Sequence, residues 1–254
     1  QRLLCSSPSA LVFGEYSGAA LIELAQALSS RARLMLRAEM HATDLERALA
    51  GEQFWYPHLL GDAPGFVALF QGALQRCLAF HEQQAQAAGR ALWGVKLPTV
   101  PVEALRNLRR LCPDSRVLYV VRDLVAAARS AKARRFVRTP AELQAFAETW
   151  RDGVLAIESL RADPRVHVLD YEAIEHRDPA LLRELEAFTG MHGLDPAVLA
   201  ARVNTWEGAP EKGHAPGQYL APCELDAEEL AVLECVVRFA PALRAGEIAA
   251  APRR

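Results

Sequence analysis

Lysine is nearly missing from this chain. Lys96, Lys132 and Lys212 are its three lysines among 29 basic residues, and arginine supplies the rest. Together with abundant alanine, this reads as the codon bias of a GC-rich genome, so each retained lysine carries more information than usual. A compact ammonium and a planar guanidinium are not interchangeable beside a phosphate or a transferring group. Paired cysteines are absent too. Cys5, Cys77, Cys112, Cys223 and Cys235 are odd in number, scattered and free of CxxC spacing. That argues against a disulfide scaffold and fits reduced thiols in a cytoplasm, the expected location. The seven histidines show neither HxH nor HxxxH spacing, so no zinc motif is read and no metal is expected. No apolar run approaches the roughly 18 residues of a membrane span, and no signal-peptide pattern stands at the start. A net charge of −2 argues against a general binder of nucleic acid or anionic membrane. It leaves room for a local basic pocket that takes a small anion.

What is present is an alternation of strand and helix patterns over 254 residues. "QRLLCSSPSALVFGEY" reads as the end of a helix, a turn at Ser6, Ser7 and Pro8, and a strand over residues 11–13. Leu21, Leu24, Ala25 and Leu28 then recur at helical spacing. Residues 41–66 read as an irregular helical insertion or lid. Within it Trp55, Tyr56 and His58 read as core or lid packing, with the lining of an acceptor pocket as the alternative. A long helix follows and stops at Gly89. A short strand ends at Lys96. The run Val117, Leu118, Tyr119, Val120, Val121 reads as a fully buried strand, cut off by Arg122 and Asp123. Thr139 and Pro140 open a helix with Phe146, Trp150, Val154 and Ile157 along one stripe, which places Trp150 in the core. "RVHVLDYEAI" is another strand, and Gly190 closes the helix after it. The alternation predicts βαβ units. The expected fold is α/β: a single domain over residues 1–254, three layers deep, with a central parallel sheet.

Ligands of open parallel sheets bind beyond the carboxyl ends of the strands. The strands here end in Glu15, Lys96, Arg122 and Tyr171-Glu172, which supply a carboxylate, an ammonium, a guanidinium and a phenol. That set suits a phosphorylated ligand and an acceptor that must lose a proton. Arg122 offers a bidentate fork to phosphate oxygens, and Ser130, eight residues on, can donate to the same phosphate. Each residue also has an ordinary reading. Arg-Asp after a strand is a solvated turn, Tyr171 a core tyrosine, and Lys96 and Lys212 solvated lysines. Glu15 reads equally as a general base or as a carboxylate capping the next helix.

"RVLYVVRDLVAAARS" resembles the 3′-phosphate-binding segment of sulfotransferases that use 3′-phosphoadenosine 5′-phosphosulfate (PAPS). In that segment a strand leads to Arg-Asp, with Ser eight residues after the Arg. "LLCSSPSALVFGE" resembles the stretch after the family's phosphosulfate loop, and "WGVKLP" its Lys-bearing strand end. "FAETWRDGVLAIESLRADPRVHVLDYEAI" is similar to its Trp helix and Tyr-Glu strand, "PALLRELEAFTGM" to the helix that follows, and "EKGHAPGQY" to its late Lys-Gly loop. The order matches along nearly the whole chain. The resemblance implies a P-loop-like fold and transfer of a sulfuryl group from PAPS to a hydroxyl of a small molecule or peptide, without a metal. It implies Arg122, Ser130, Tyr171, Lys212 and Gly213 as nucleotide-binding residues, with Glu15 and Lys96 as the catalytic pair.

Two departures from the family pattern matter. The phosphosulfate loop belongs just before Gln1, so the chain is expected to be N-terminally incomplete and inactive as it stands. No His follows Lys96 closely, which leaves Glu15 as the expected base. The alternatives are a non-catalytic nucleotide-binding or interaction protein, and a P-loop nucleoside kinase. A homodimer is compatible with the sequence, and neither nucleic acid nor membrane is an expected partner.

Overall fold

Two parallel strand pairs carry the polar strand ends. The computed structural model describes residues 1–56, 59–98, 100–176, 179–200 and 219–238. The chain divides into two compact units, one over Leu3–Ser115 and the other from Arg116 onward. Each holds one pair.

In the first unit a short helix, α1 (Arg2–Ser6), leads into β1 (Ala10–Phe13), which pairs in parallel with β2 (Leu92–Val95) in the register Ala10↔Leu92 to Phe13↔Val95. The crossover holds α2 (Glu15–Arg31), a 3₁₀ segment (Ala32–Arg37), α3 (Ala38–Leu49) and α4 (Ala63–Ala87). The stripe read from α2 is the one it buries: Leu21 and Leu28 pack with Leu74 of α4, flanked by Leu24, Phe70, Trp93 and Val95. The Asp62 carboxylate accepts the Gly65 N–H at 2.8 Å and starts α4, while Gly89 at φ 71° follows its end, a conformation that favours glycine. His81 of α4 is buried and stacks on Trp93 with ring centroids 5.3 Å apart. α5 (Val102–Leu111) follows β2.

In the second unit β3 (Val117–Val121) pairs in parallel with β4 (Val166–Asp170), from Val117↔Val166 to Val121↔Asp170. Between them run α6 (Leu124–Ala133) and α7 (Pro140–Glu158). Thr139 and Glu142 close a reciprocal capping box at the start of α7, as the Thr-Pro signal predicts. Among the described residues α8 (Tyr171–Glu175), α9 (Pro179–Thr189), a 3₁₀ segment (Pro196–Leu199) and α10 (Ala227–Arg238) follow. Its core joins Leu124, Ala128, Leu143, Ala147, Leu233 and Val236 from α6, α7 and α10. Lys132 accounts for one of the scarce lysines. It pairs with Glu229 at 2.7 Å and donates to the Glu224 carbonyl at 3.1 Å, while Arg129 pairs with Glu224. These bonds fasten α10 and the segment before it to α6.

Three expectations are corrected. Residues 41–66 are not irregular throughout, because α3 continues to Leu49: "ATDLERAL" contains no breaker. The β3 run is half-buried rather than buried, with Val120 47% exposed. Full burial needs cover on both sheet faces, and the face carrying Val120 lacks it. Trp55 is 82% exposed and therefore packs in no core, although the Arg47 guanidinium covers Phe54 at 4.2 Å. His58 lies outside the described residues. Among the described residues no helix is long and apolar enough to cross a membrane.

A tight contact joins α7 to β3. A Cβ added at Gly153 would lie 2.7 Å from the Tyr119 hydroxyl oxygen. That phenol has its pKa pushed above the ordinary tyrosine value by burial. Gly153→Val is therefore expected to cost about 1–3 kcal/mol from overpacking. Thermal melting should show a drop of roughly 2–4 °C per kcal/mol, and an unchanged melting temperature would show that the contact yields freely.

Candidate functional site

Parallel register decides which strand ends meet. Because Val121 stands opposite Asp170, the next residues, Arg122 and Tyr171, emerge side by side. The Arg122 guanidinium carbon sits 4.6 Å from the centre of the Tyr171 ring, a cation–π arrangement. The Arg122 Nε is buried and has no hydrogen-bond partner among the described residues. Nor does any carboxylate among those residues form an ion pair with Arg122. A partly desolvated guanidinium without an anion is unfavourable, and an anionic ligand on its outer nitrogens would relieve that.

Backbone groups around Arg122 are well satisfied. Its carbonyl accepts the Trp150 indole N–H at 2.9 Å. The Asp123 N–H donates to Glu172 Oε1 at 3.4 Å. The Asp123 carboxylate accepts the Ala126 N–H at 2.8 Å and caps α6, and Asp170 accepts the Glu172 N–H at 3.0 Å and caps α8. The Glu172 carboxyl is held above the ordinary carboxylate range. Burial is the main cause and a hydrogen bond with Asp170 adds to it, opposed by backbone N–H groups of Glu172 and Asp123. A raised native pKa favours the protonated form. Its stabilising contribution is present below the ordinary carboxylate pKa and is lost as pH rises through the native value. Glu172→Gln mimics the neutral form at every pH. Its melting temperature should match wild type near about pH 4 and exceed it near about pH 7. A difference that does not change between those pH values would refute the assignment.

Ser130 lies half-buried on α6. Seven residues past the Asp123 cap, it stands roughly 10 Å along the helix axis. No contact joins it to Arg122 among the described residues. Lys212 and Gly213 lie outside the described residues.

In the first unit the β1–β2 register brings Glu15 and Lys96 together. The Lys96 N–H donates to the Phe13 carbonyl at 2.9 Å, and the Lys96 ammonium forms an ion pair with the Glu15 carboxylate, the side chains being 40% and 55% exposed. Glu15 opens α2, but Gly14 is the cap residue and no side chain caps that end. Glu15 thus stands in the first turn of α2, as its helix-start reading expects, and its carboxylate also bonds Lys96. Carboxylate and ammonium occupy adjacent strand ends.

Sequence reasoning missed the support around Arg122. Asp123 and Asp170 each stand just before a helical run and are readable as caps. Glu172 was visible as a strand-end carboxylate but without a partner. The Trp150 contact spans 28 residues and has no local signal.

The model of the sulfotransferase family matches residues 1–196, and the chain belongs to that family. Among solved structures it is similar to the sulfotransferase domain of the Synechococcus PCC 7002 olefin synthase. The identity is 18% and the TM-score 0.44, over 94% of this chain and 97% of that one. No curated protein matches the sequence.

Proposed function

We propose that this protein transfers the sulfuryl group of PAPS to a hydroxyl of a small-molecule or peptide acceptor. The observation that carries the reading is Arg122: a guanidinium laid on Tyr171 at a strand end, with a buried Nε and no carboxylate partner among the described residues. That group suits the 3′-phosphate of the nucleotide, with Ser130 as a second donor and Tyr171 beside the adenine. Lys212 and Gly213 would cover the same phosphate. Family membership leaves the nucleoside-kinase alternative without support.

In the reaction the acceptor oxygen attacks sulfur as the bond from sulfur to the bridging phosphate oxygen breaks. Glu15 takes the acceptor proton. Lys96 neutralises the negative charge that grows on the bridging oxygen. Adenosine 3′,5′-bisphosphate leaves. By analogy with phosphoryl transfer, the protein contributes mainly positioning and charge stabilisation. The test is transfer of sulfur label from PAPS to a panel of phenols and alkanols by the full-length protein, with and without chelator. Labelled acceptor that forms equally in chelator is expected. Label transfer abolished by chelator, or no transfer with any acceptor alongside no nucleotide binding, would overturn the reading.

A further inference from the structure

We infer that Trp150 and Glu172 are positioning residues that aim the Arg122 guanidinium by clamping one peptide unit. The inference rests on the nucleotide reading of Arg122 given above. The carbonyl of Arg122 and the N–H of Asp123 belong to the same planar amide. The oxygen of that amide accepts the Trp150 indole N–H at 2.9 Å, and its N–H donates to Glu172 Oε1 at 3.4 Å. The plane is therefore gripped at both polar ends, by α7 on one side and α8 on the other.

The grip matters because of where it falls. Arg122 is the first residue beyond the β3–β4 ladder, which ends at Val121↔Asp170. Past that point no strand partner fixes the backbone. On its N-terminal side the Arg122 Cα is set by the ladder; on its C-terminal side, among the described residues, the clamp and the start of α6 at Asp123 set it. With both flanks fixed, the Cα–Cβ bond of Arg122 is aimed, and the Tyr171 ring, 4.6 Å from the guanidinium carbon, holds the far end. An arginine has long, flexible χ angles and a large side-chain entropy, so a pose prepared before binding raises affinity.

Both jaws are themselves held. Trp150 packs against Val154, one turn on in α7, and Val154 packs in turn on Val121 of β3, so the indole stands on a helix–strand seam. Glu172 lies in the first turn of α8, and its backbone N–H is bound by Asp170 at 3.0 Å. A purely structural role for the two residues would leave stability, not ligand discrimination, as their main effect.

The experiment titrates adenosine 3′,5′-bisphosphate and adenosine 5′-phosphate into full-length wild type and the variants Trp150→Phe, Glu172→Ala and Glu172→Gln, with melting temperatures on the same samples. Losing one hydrogen bond in the clamp should weaken bisphosphate binding about three- to tenfold. Affinity for adenosine 5′-phosphate should hardly change. Glu172→Gln keeps an acceptor oxygen and should bind close to wild type, which a demand for charge alone would not allow. Wild-type discrimination that survives unchanged in Trp150→Phe and Glu172→Ala would overturn the clamp and leave the nucleotide reading standing. Equal losses for both nucleotides would overturn it as well. A wild type that fails to distinguish the two nucleotides would overturn the nucleotide reading, and the clamp with it. Should Trp150→Phe fail to fold, the contrast between Glu172→Ala and Glu172→Gln decides: no contrast overturns the proposal.

Discussion

Glu15→Gln is expected to lower sulfuryl turnover by about 10²–10⁴, the usual worth of a general base. The substitution keeps size and a hydrogen-bond acceptor for the Lys96 ammonium, so the contact between adjacent strand ends survives while proton acceptance is lost. Nucleotide binding should hardly change, since Glu15 serves the acceptor. The loss should be smaller for phenols than for alkanols, because a phenol's proton needs less help to leave. Glu15 forms no cap on α2, so a change confined to melting temperature is not expected. Turnover measured with one phenol and one alkanol, alongside a melting curve, checks this. Normal turnover with both acceptors would remove Glu15 from the mechanism.

Arg122→Ala is expected to weaken binding of adenosine 3′,5′-bisphosphate by about 2–4 kcal/mol, the cost of removing one partner of a largely desolvated charge pair. That is roughly 30- to 800-fold in Kd. Ser130→Ala removes one hydrogen bond and should cost about 1 kcal/mol. For an analogue without the 3′-phosphate both losses should nearly vanish. Arg122 has no ion-pair partner to orphan among the described residues, so the variant should fold as wild type does. Titration of both ligands into both variants checks the pattern. Equal losses for the two ligands would remove the 3′-phosphate from the account.

Much of the secondary structure was legible because its signals are local. The Thr139-Pro140 start of α7, the stop at Gly89 and the apolar stripe of α2 depend on residues within a few turns of each other. The strand ends were legible for the same reason: an apolar run that stops at Lys96 or Arg122 marks its own boundary. The pairing of Glu15 with Lys96 and of Arg122 with Tyr171 was not legible, because parallel strands alone fix neither which strands are neighbours nor their register. The exposure of Val120 and Trp55 was not legible, because cover is a property of what packs on a face. The Trp150 contact was hidden by its very type. A tryptophan on an apolar stripe reads as core, and nothing local tells which carbonyl its indole N–H will find. Lys132 was marked only by its rarity, and nothing local tells that its ammonium ties α6 to Glu229.

The most direct test of the central claim is a calorimetric comparison of adenosine 3′,5′-bisphosphate with adenosine 5′-phosphate on the wild-type, full-length protein without added metal. The account predicts that the bisphosphate binds tighter by at least about tenfold, with a preference that falls as salt rises because the Arg122 contact is ionic. Equal affinity for the two nucleotides, at low and at high salt alike, would contradict it.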